Sequence, residues 1–306
     1  MELFHYQAKH VPVYAKYLSL LNKKPEQITS IDDIPFMPVQ FFKTHQVLAN
    51  GREAEITFES SSTSGTGVSK HGVADVRLYM DSFINCFTHF YGNPGDYCFL
   101  CLLPSYLERE SSSLVYMCNE LIKRSNHTAS GFYLDNYKTL ASVLKEMNSK
   151  GVNTILLGVT YALLDLAEQF PQTLENVIIM ETGGMKGKRQ ELLREQVHRQ
   201  LQQAFGCSTI HSEYGMTELL SQAYSSGLGK FKCPPWMHVL TYQLNDPFTK
   251  CKPEETGGIQ IIDLANVYSC AFLQTQDIGK IHYDNTFEIL GRLEYSDLRG
   301  CNLMIN

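Results

Sequence analysis

The stretch ENVIIMETGGMKGKRQELLREQVHRQLQQAFG, Glu175–Gly206, decides the fold. Its first half is an apolar run of strand length, the pair Gly183–Gly184 marks a turn, and strong helix formers follow. In the second half Leu193, Val197, Leu201 and Phe205 recur at spacing four, which predicts a helix with one apolar face. Strands and helices also alternate on the N-terminal side. EITFES, YCFLCLLP and VNTILLGV read as strands, while VADVRLYMDSFINCFTHF, SSSLVYMCNELIKR and KTLASVLKEMNSKG read as helices. Strands alternating with helices predict an α/β architecture, layered sheets with flanking helices, the main sheet largely parallel.

The outer thirds differ in texture. The first fifty residues read as helical and then irregular, with Pro35 and Pro38 breaking the pattern before Phe41–Phe42. WMHVLTYQL, GGIQIID, GKIHYD and FEIL are short strands without helices between them, so a β-rich subdomain is expected over about residues 235–290. No internal repeat or low-complexity linker interrupts the chain. One catalytic unit over residues 1–290 and a tail over 291–306 is the expected organisation.

Composition narrows the functional classes. Across 306 residues the formal net charge is -6, which disfavours a nucleic-acid partner. No run approaches membrane-span length, and MELFHYQAKHVPVYAKYL lacks the basic flank and cleavage site of a signal peptide, so a cytoplasmic protein is expected. The nine cysteines read as reduced thiols. Cys98 and Cys101 form a CxxC inside an apolar run, which points to core packing rather than to a metal or redox pair.

Four stretches carry residues suited to chemistry. SSSTSGTGVSK, Ser60–Lys70, follows a strand and is rich in hydroxyls and glycine. Ser61, Ser62, Thr63, Ser64 and Thr66 would offer donors, Gly65 and Gly67 would let backbone N–H groups turn toward a phosphate, and Lys70 would add positive charge. A surface linker is the alternative. Gly183 and Gly184 close an apolar strand, the address at which α/β sheets bind ligands, or they make a simple tight turn. CSTIHSEYGMTELL sets Tyr214, Gly215, Thr217 and Glu218 after a strand. Tyr214 would stack on a base and Glu218 would hold a divalent cation, or Thr217 and Glu218 would open a helix. Near the C-terminus Asp277 is expected between two short strands, holding ribose hydroxyls or filling a turn, and Arg292 would meet a phosphate or solvent. Cys301, on a polar tail, is a reactive thiol or an exposed end residue.

Taken in order, these stretches resemble the signature motifs of the adenylate-forming superfamily. SSSTSGTGVSK is similar to its phosphate loop, ETGGMK to its adenine-contacting glycine turn, and Tyr214–Glu218 to its aromatic-Gly-x-Thr-Glu motif. Asp277 matches its ribose-binding aspartate and Gly291–Arg292 its hinge entry. IPFMPVQFFKTH, LLPSYLERESSSLVYM, ETGGMKGKR and LRGCNLMIN look like one branch, the acyl-protein synthetases, so the resemblance runs over nearly the whole chain.

That resemblance implies the superfamily's large-domain fold and ATP- and Mg2+-dependent conversion of a carboxylic acid, a fatty acid in this branch, to an acyl-adenylate. It further implies transfer to Cys301, acting with Lys70, Thr217 and Glu218, and then to an acyl-acceptor protein such as a reductase. An apolar wall for the acyl chain would include Leu102, Leu103 and Tyr106. The sequence departs from the pattern in two places. It ends soon after Gly291–Arg292, without the superfamily's small lid domain, which a partner would have to supply, and it has Ser69 where many relatives have proline. An acyl- or aryl-CoA ligase with Cys301 incidental, and a non-catalytic acyl/nucleotide-binding partner protein, are the competing readings.

Overall fold

A computed structural model describes residues 1–60, 67–104, 111–183 and 192–293. A six-stranded sheet forms the first layer. Its strands are β4 (Cys98–Leu102), β5 (Gly131–Tyr133), β6 (Thr154–Val159), β7 (Val177–Thr182), β8 (His211–Tyr214) and β9 (Ala223–Ser225), in the order β5-β4-β6-β7-β8-β9. All neighbours pair in parallel except β8 and β9. Every residue of β4 and β6 is buried, as both faces of a helix-covered parallel sheet require. Cys98 and Cys101 lie in β4, both out of contact with solvent.

The covering helices start where side chains cap them. Asp75 accepts from the Arg77 N–H ahead of α4 (Val76–Tyr91), Ser112 from the Val115 N–H ahead of α5 (Ser113–Arg124), and Asn136 from the Thr139 N–H ahead of α6 (Tyr137–Ser149). A further helix, α7 (Thr160–Gln169), follows β6 directly, and α8 (Arg194–Phe205) follows β7. On α8, Val197, Leu201 and Phe205 are buried as the spacing predicted. Leu193 is not: it is the N-cap, in extended backbone (φ -64, ψ 144), and its side chain is 69% exposed. A residue outside the helical turns does not share the helix's apolar stripe. The expected helix residues before Leu192 lie outside the described residues.

The second large sheet contains β10 (Met237–Gln243), β11 (Asp246–Lys250), β12 (Gly257–Asp263), β13 (Phe272–Ile281) and β14 (Phe287–Arg292), joined at its edge by β1 (Met37–Pro38) from the N-terminal segment. α1 (Glu2–His10), α2 (Pro12–Leu20) and the short α3 (Phe41–Thr44) pack on this sheet, with Phe4, Tyr14, Phe36 and Phe42 sharing one core with Ile261, Phe272 and Phe287. The buried Gln7 amide pins α1 there, donating to the carbonyls of Asn266 (2.6 Å) and Val267 (3.0 Å) and accepting from the Ala271 N–H (2.9 Å).

One expectation is corrected here. Asp277 does not sit between two short strands; it lies inside the ten-residue β13, opposite Arg292 of β14. The polar run around it is absorbed by a register shift at Ile278/Gly279, where a side chain at Gly279 would collide with the Glu288 carbonyl. Among the described residues, no helix is long and apolar enough to cross a membrane.

Candidate active site

The hydroxyl-rich loop is carried by a hairpin of β2 (Ile56–Glu59) and β3 (Lys70–Val73). Ser60 and Ser69 close its base: the Ser60 N–H donates to the Ser69 carbonyl (3.0 Å), and the Ser69 N–H to Ser60 Oγ (2.9 Å). Lys70 begins β3 with its Nζ exposed and 3.0 Å from Glu59 Oε1 across the ladder. Ser61, Ser62, Thr63, Ser64, Gly65 and Thr66 lie outside the described residues. Gly67 is exposed, at φ 90.

β8 delivers the second set. Tyr214 ends it, its ring edge-on to Phe231 and Phe287 (centroids 5.9 and 5.6 Å apart) and its hydroxyl donating to Asp277 Oδ2 at 2.7 Å. This bond joins the C-terminal edge of the parallel sheet to the middle of β13. The chain continues through exposed Gly215 into a turn closed by Leu219 N–H to Met216 O (3.1 Å), not into a helix, so the helix-cap alternative for Thr217 and Glu218 is removed. Glu218 is buried, with Ser69 hydrogen-bonded to its carboxylate; burial pushes its pKa up, against the pull of Ser69 and Arg292.

The turn is gripped from three sides. Buried Asp263 accepts the Leu220 and Ser221 N–H groups (2.8 and 3.0 Å) and the Ser221 hydroxyl (2.5 Å). Asn266 Nδ2 donates to the Glu218 carbonyl (2.9 Å), and His71 Nδ1 to the Thr217 carbonyl (2.8 Å). Burial lowers the His71 pKa to about 4.

β7 delivers the third set. Gly183 follows it at φ 74, a left-handed conformation that favours glycine, and its carbonyl accepts from Thr160 Oγ1 at 3.0 Å. Just before it, buried Glu181 takes Arg194 Nε (3.2 Å) and Thr160 Oγ1 (3.2 Å), with His198 Nε2 at 3.6 Å. Burial would raise the Glu181 pKa, but His198 and Arg194 hold it below the usual value. Arg194 also reaches the Ile289 carbonyl (3.5 Å) and lies over the Phe231 ring at 5.0 Å, and its charge acts on Asp277. Burial pushes the Asp277 carboxyl up, while Tyr214, Arg292 and Arg194 pull it down.

Glu218 is linked to the hairpin base through Ser69, Thr217 through His71, and Tyr214 to Asp277 of β13. Gly183 follows the neighbouring β7, Gly215 follows Tyr214, and Gly67 and Lys70 lie on the hairpin side. Arg292 is exposed beside them, with Nη2 donating to Gln276 Oε1 at 3.4 Å. Gly184 and Cys301 lie outside the described residues, as does Tyr106. Leu102 and Leu103 are fully buried. Sequence reasoning did not reach His71, Asp263, Asn266, Glu181, Glu213 or Arg194; the acid ending GGIQIID was the one visible signal, a charge at the close of a buried strand.

Glu218 would be the carboxylate to hold a divalent cation. No group of three metal-ligating side chains occurs among the described residues; a cation held by one carboxylate would complete its shell with other oxygens and water. A buried carboxylate at the base of the hydroxyl-rich hairpin fits that donor set.

Comparisons with known proteins bear on the fold. No family model matches the sequence. Over 66 residues the chain is 38% identical to the long-chain-fatty-acid–luciferin-component ligase of Photorhabdus luminescens, a match covering 21% of this chain and 56% of that protein. The match thus spans about half the length of that curated relative. ATP-bound MatB from Rhodopseudomonas palustris superposes with a TM-score of 0.59 at 17% identity, over 77% of this chain and 47% of its own. An open conformation of 2-hydroxyisobutyryl-CoA ligase with 2-HIB-AMP and CoA gives 0.70 at 14% identity, over 96% and 73%. AMP-bound o-succinylbenzoate CoA synthetase from Bacillus subtilis gives 0.54 at 20%, over 79% and 49%. The chain has the α/β fold of the adenylate-forming enzymes.

Proposed function

We propose that the chain is an ATP-dependent acyl-activating ligase that converts a carboxylic acid, most naturally a fatty acid, to its acyl-adenylate and passes the acyl group to Cys301 and then to a partner protein. The observation that carries this reading is convergence. Tyr214 hydrogen-bonds Asp277 63 residues away, while Glu218 reaches back to Ser69 at the base of the hydroxyl-rich loop. On this reading, residues serving one reaction come from three parts of the sequence.

In the first step a carboxylate oxygen attacks the α-phosphorus of ATP, and the bond to the bridging oxygen of pyrophosphate breaks. Both reactants are anionic, so the site's work is to hold them and to offset charge. Ser61–Gly67 would hold the β- and γ-phosphates and Lys70 would supply positive charge beside them. Glu218 would hold Mg2+, which neutralises phosphate oxygens when bound. Asp277 would take the ribose hydroxyls, kept in place by the Tyr214 phenol, while Tyr214, Gly215 and the Gly183–Gly184 turn would border the adenine. Arg292 would meet phosphate. In the second step the Cys301 thiolate attacks the acyl carbon, forming a thioester as AMP leaves.

A CoA-ligase reading has its own support, because the solved neighbours named above include a CoA ligase and a CoA synthetase. One experiment separates the two. The protein is incubated with ATP, Mg2+ and a panel of fatty and aromatic acids, with and without CoA, and its intact mass is measured beside pyrophosphate release. A hydroxylamine-labile acyl adduct absent from Cys301→Ser supports the thioester route. Acyl-CoA formation that Cys301→Ser leaves unchanged transfers the assignment to the CoA ligases. No pyrophosphate release with any acid refutes activation itself.

A further inference from the structure

Among the described residues, His71 Nε2, Asn266 Oδ1 and Ser269 Oγ are buried polar atoms without a hydrogen-bond partner. All three residues line one small cavity, about 10 Å³ in volume, between β3 and the 265–269 segment. Buried polar atoms left without partners are costly, so three around one cavity call for an occupant. The volume is about that of one water probe and leaves no room for an organic ligand.

The hydrogen-bond chemistry specifies what fits. The Thr217 carbonyl can only accept, so the His71 proton sits on Nδ1 and Nε2 presents a bare lone pair. Asn266 uses its amide N–H on the Glu218 carbonyl, which leaves Oδ1 as a second bare acceptor. Ser269 has a hydroxyl proton to give. Two acceptors and one donor are the complement of a single water molecule, which donates twice and accepts from the serine.

We propose that this cavity is a single-water site, and that His71, Asn266 and Ser269 with their water are positioning residues that fix the Thr217–Glu218 turn. The same two side chains that border the cavity hold the two successive carbonyls of that turn, so the water braces both from behind. His71 stays neutral at working pH because burial holds it near 4, and this keeps its tautomer constant. The catalytic consequence rests on the adenylation reading above; the water site does not.

The test is a high-resolution crystal structure of the full chain, with backbone NMR and ATP–pyrophosphate exchange on Ser269→Val and Ser269→Ala. A water within hydrogen-bond distance of all three atoms is expected; an empty cavity or a metal ion overturns the proposal. Ser269→Val puts a methyl group into the cavity and expels the water. It should move the Thr217–Leu219 amide signals and lower the exchange kcat roughly tenfold, with KM for ATP changed less than about twofold. Ser269→Ala keeps room for the water but removes its donor, so its amide shifts and its loss of kcat should both be smaller than those of Ser269→Val. A folded Ser269→Val protein with unmoved amide signals, or with unchanged kcat, refutes the positioning role. Absence of exchange in the unsubstituted protein refutes the functional reading alone, because the water and the amide signals still decide the cavity.

Discussion

Glu213 gives the sharpest stability prediction. It sits on β8 with its side chain buried, Thr182 Oγ1 donating to one carboxylate oxygen and Glu181 repelling it from the neighbouring strand. No lysine, arginine or histidine pairs with it among the described residues. Burial lifts its pKa from 4.5 to about 7. A folded-state pKa above the unfolded value means that the folded protein binds the proton more tightly. The contribution is therefore fully present below pH 4.5 and is lost as pH rises through 7. Glu213→Gln keeps the shape and an acceptor for Thr182 but cannot ionise. Each pH unit across the window corresponds to about 1.4 kcal/mol, so the variant should gain about 2.5 kcal/mol on the unsubstituted protein between roughly pH 5 and pH 8. Urea unfolding followed by the single tryptophan, Trp236, measures the difference directly. A difference constant over that range would mean that Glu213 titrates like a solvated carboxylate, and the account of an uncompensated buried acid would fail.

Other outcomes follow from the same reasoning. Lys70→Ala removes an exposed pair with Glu59, so stability should change by less than about 1 kcal/mol, whereas pyrophosphate release should slow at least about tenfold; normal release would remove Lys70 from the site. His71 titrates with the opposite sign to Glu213: its folded pKa of about 4 lies below the ordinary 6.5. Its contribution is present above 6.5 and lost as pH falls toward 4, by about 3 kcal/mol. Acid titration of stability in a Glu213→Gln background should show that loss, and a flat profile would mean that His71 reaches solvent. Tyr214→Phe removes a hydrogen-bond donor to the Asp277 carboxylate and should raise KM for ATP more than it lowers kcat; the reverse split would place Tyr214 in the chemical step rather than in nucleotide binding.

Much of the first sheet was legible because a doubly covered parallel strand is apolar over most of its length, as CFLCL, TILLGV and the first four residues of VIIMET are. What escaped did so for local reasons. α7 begins directly after Val159, with no side-chain cap and no turn residue to announce it. β3 reads Lys-His-Gly-Val, polar by composition, yet three of its four residues are buried. A lone histidine beside a serine-rich loop carries no motif, and only the fold shows that His71 grips a carbonyl 146 residues away. Tyr214, Thr217, Glu218 and Asp277 were visible as a spaced set. Their contacts were not, because Asp277 reads as a turn residue until the irregularity at Gly279 lets β13 run on.

Arg194 shows how the fold and the site depend on each other. From the first turn of α8 it joins Glu181 of the parallel sheet to the Ile289 carbonyl of β14, and its charge helps keep Asp277 ionised. Arg194→Gln therefore acts at two levels. Glu181 keeps Thr160 and His198 but loses its permanent cation; removing one partner of a buried pair costs about 3 kcal/mol at the low end, which applies here because Arg194 is partly exposed. Asp277 loses one of the two cations opposing its burial, so its pKa rises further. A carboxylate that must be ionised to accept ribose hydroxyls then fails first at acidic pH. KM for ATP in Arg194→Gln should climb as pH falls, over a range where the unsubstituted enzyme is flat, and kcat should change less. A KM that rises equally at all pH values would leave Arg194 a structural bridge between the sheets with no hold on Asp277.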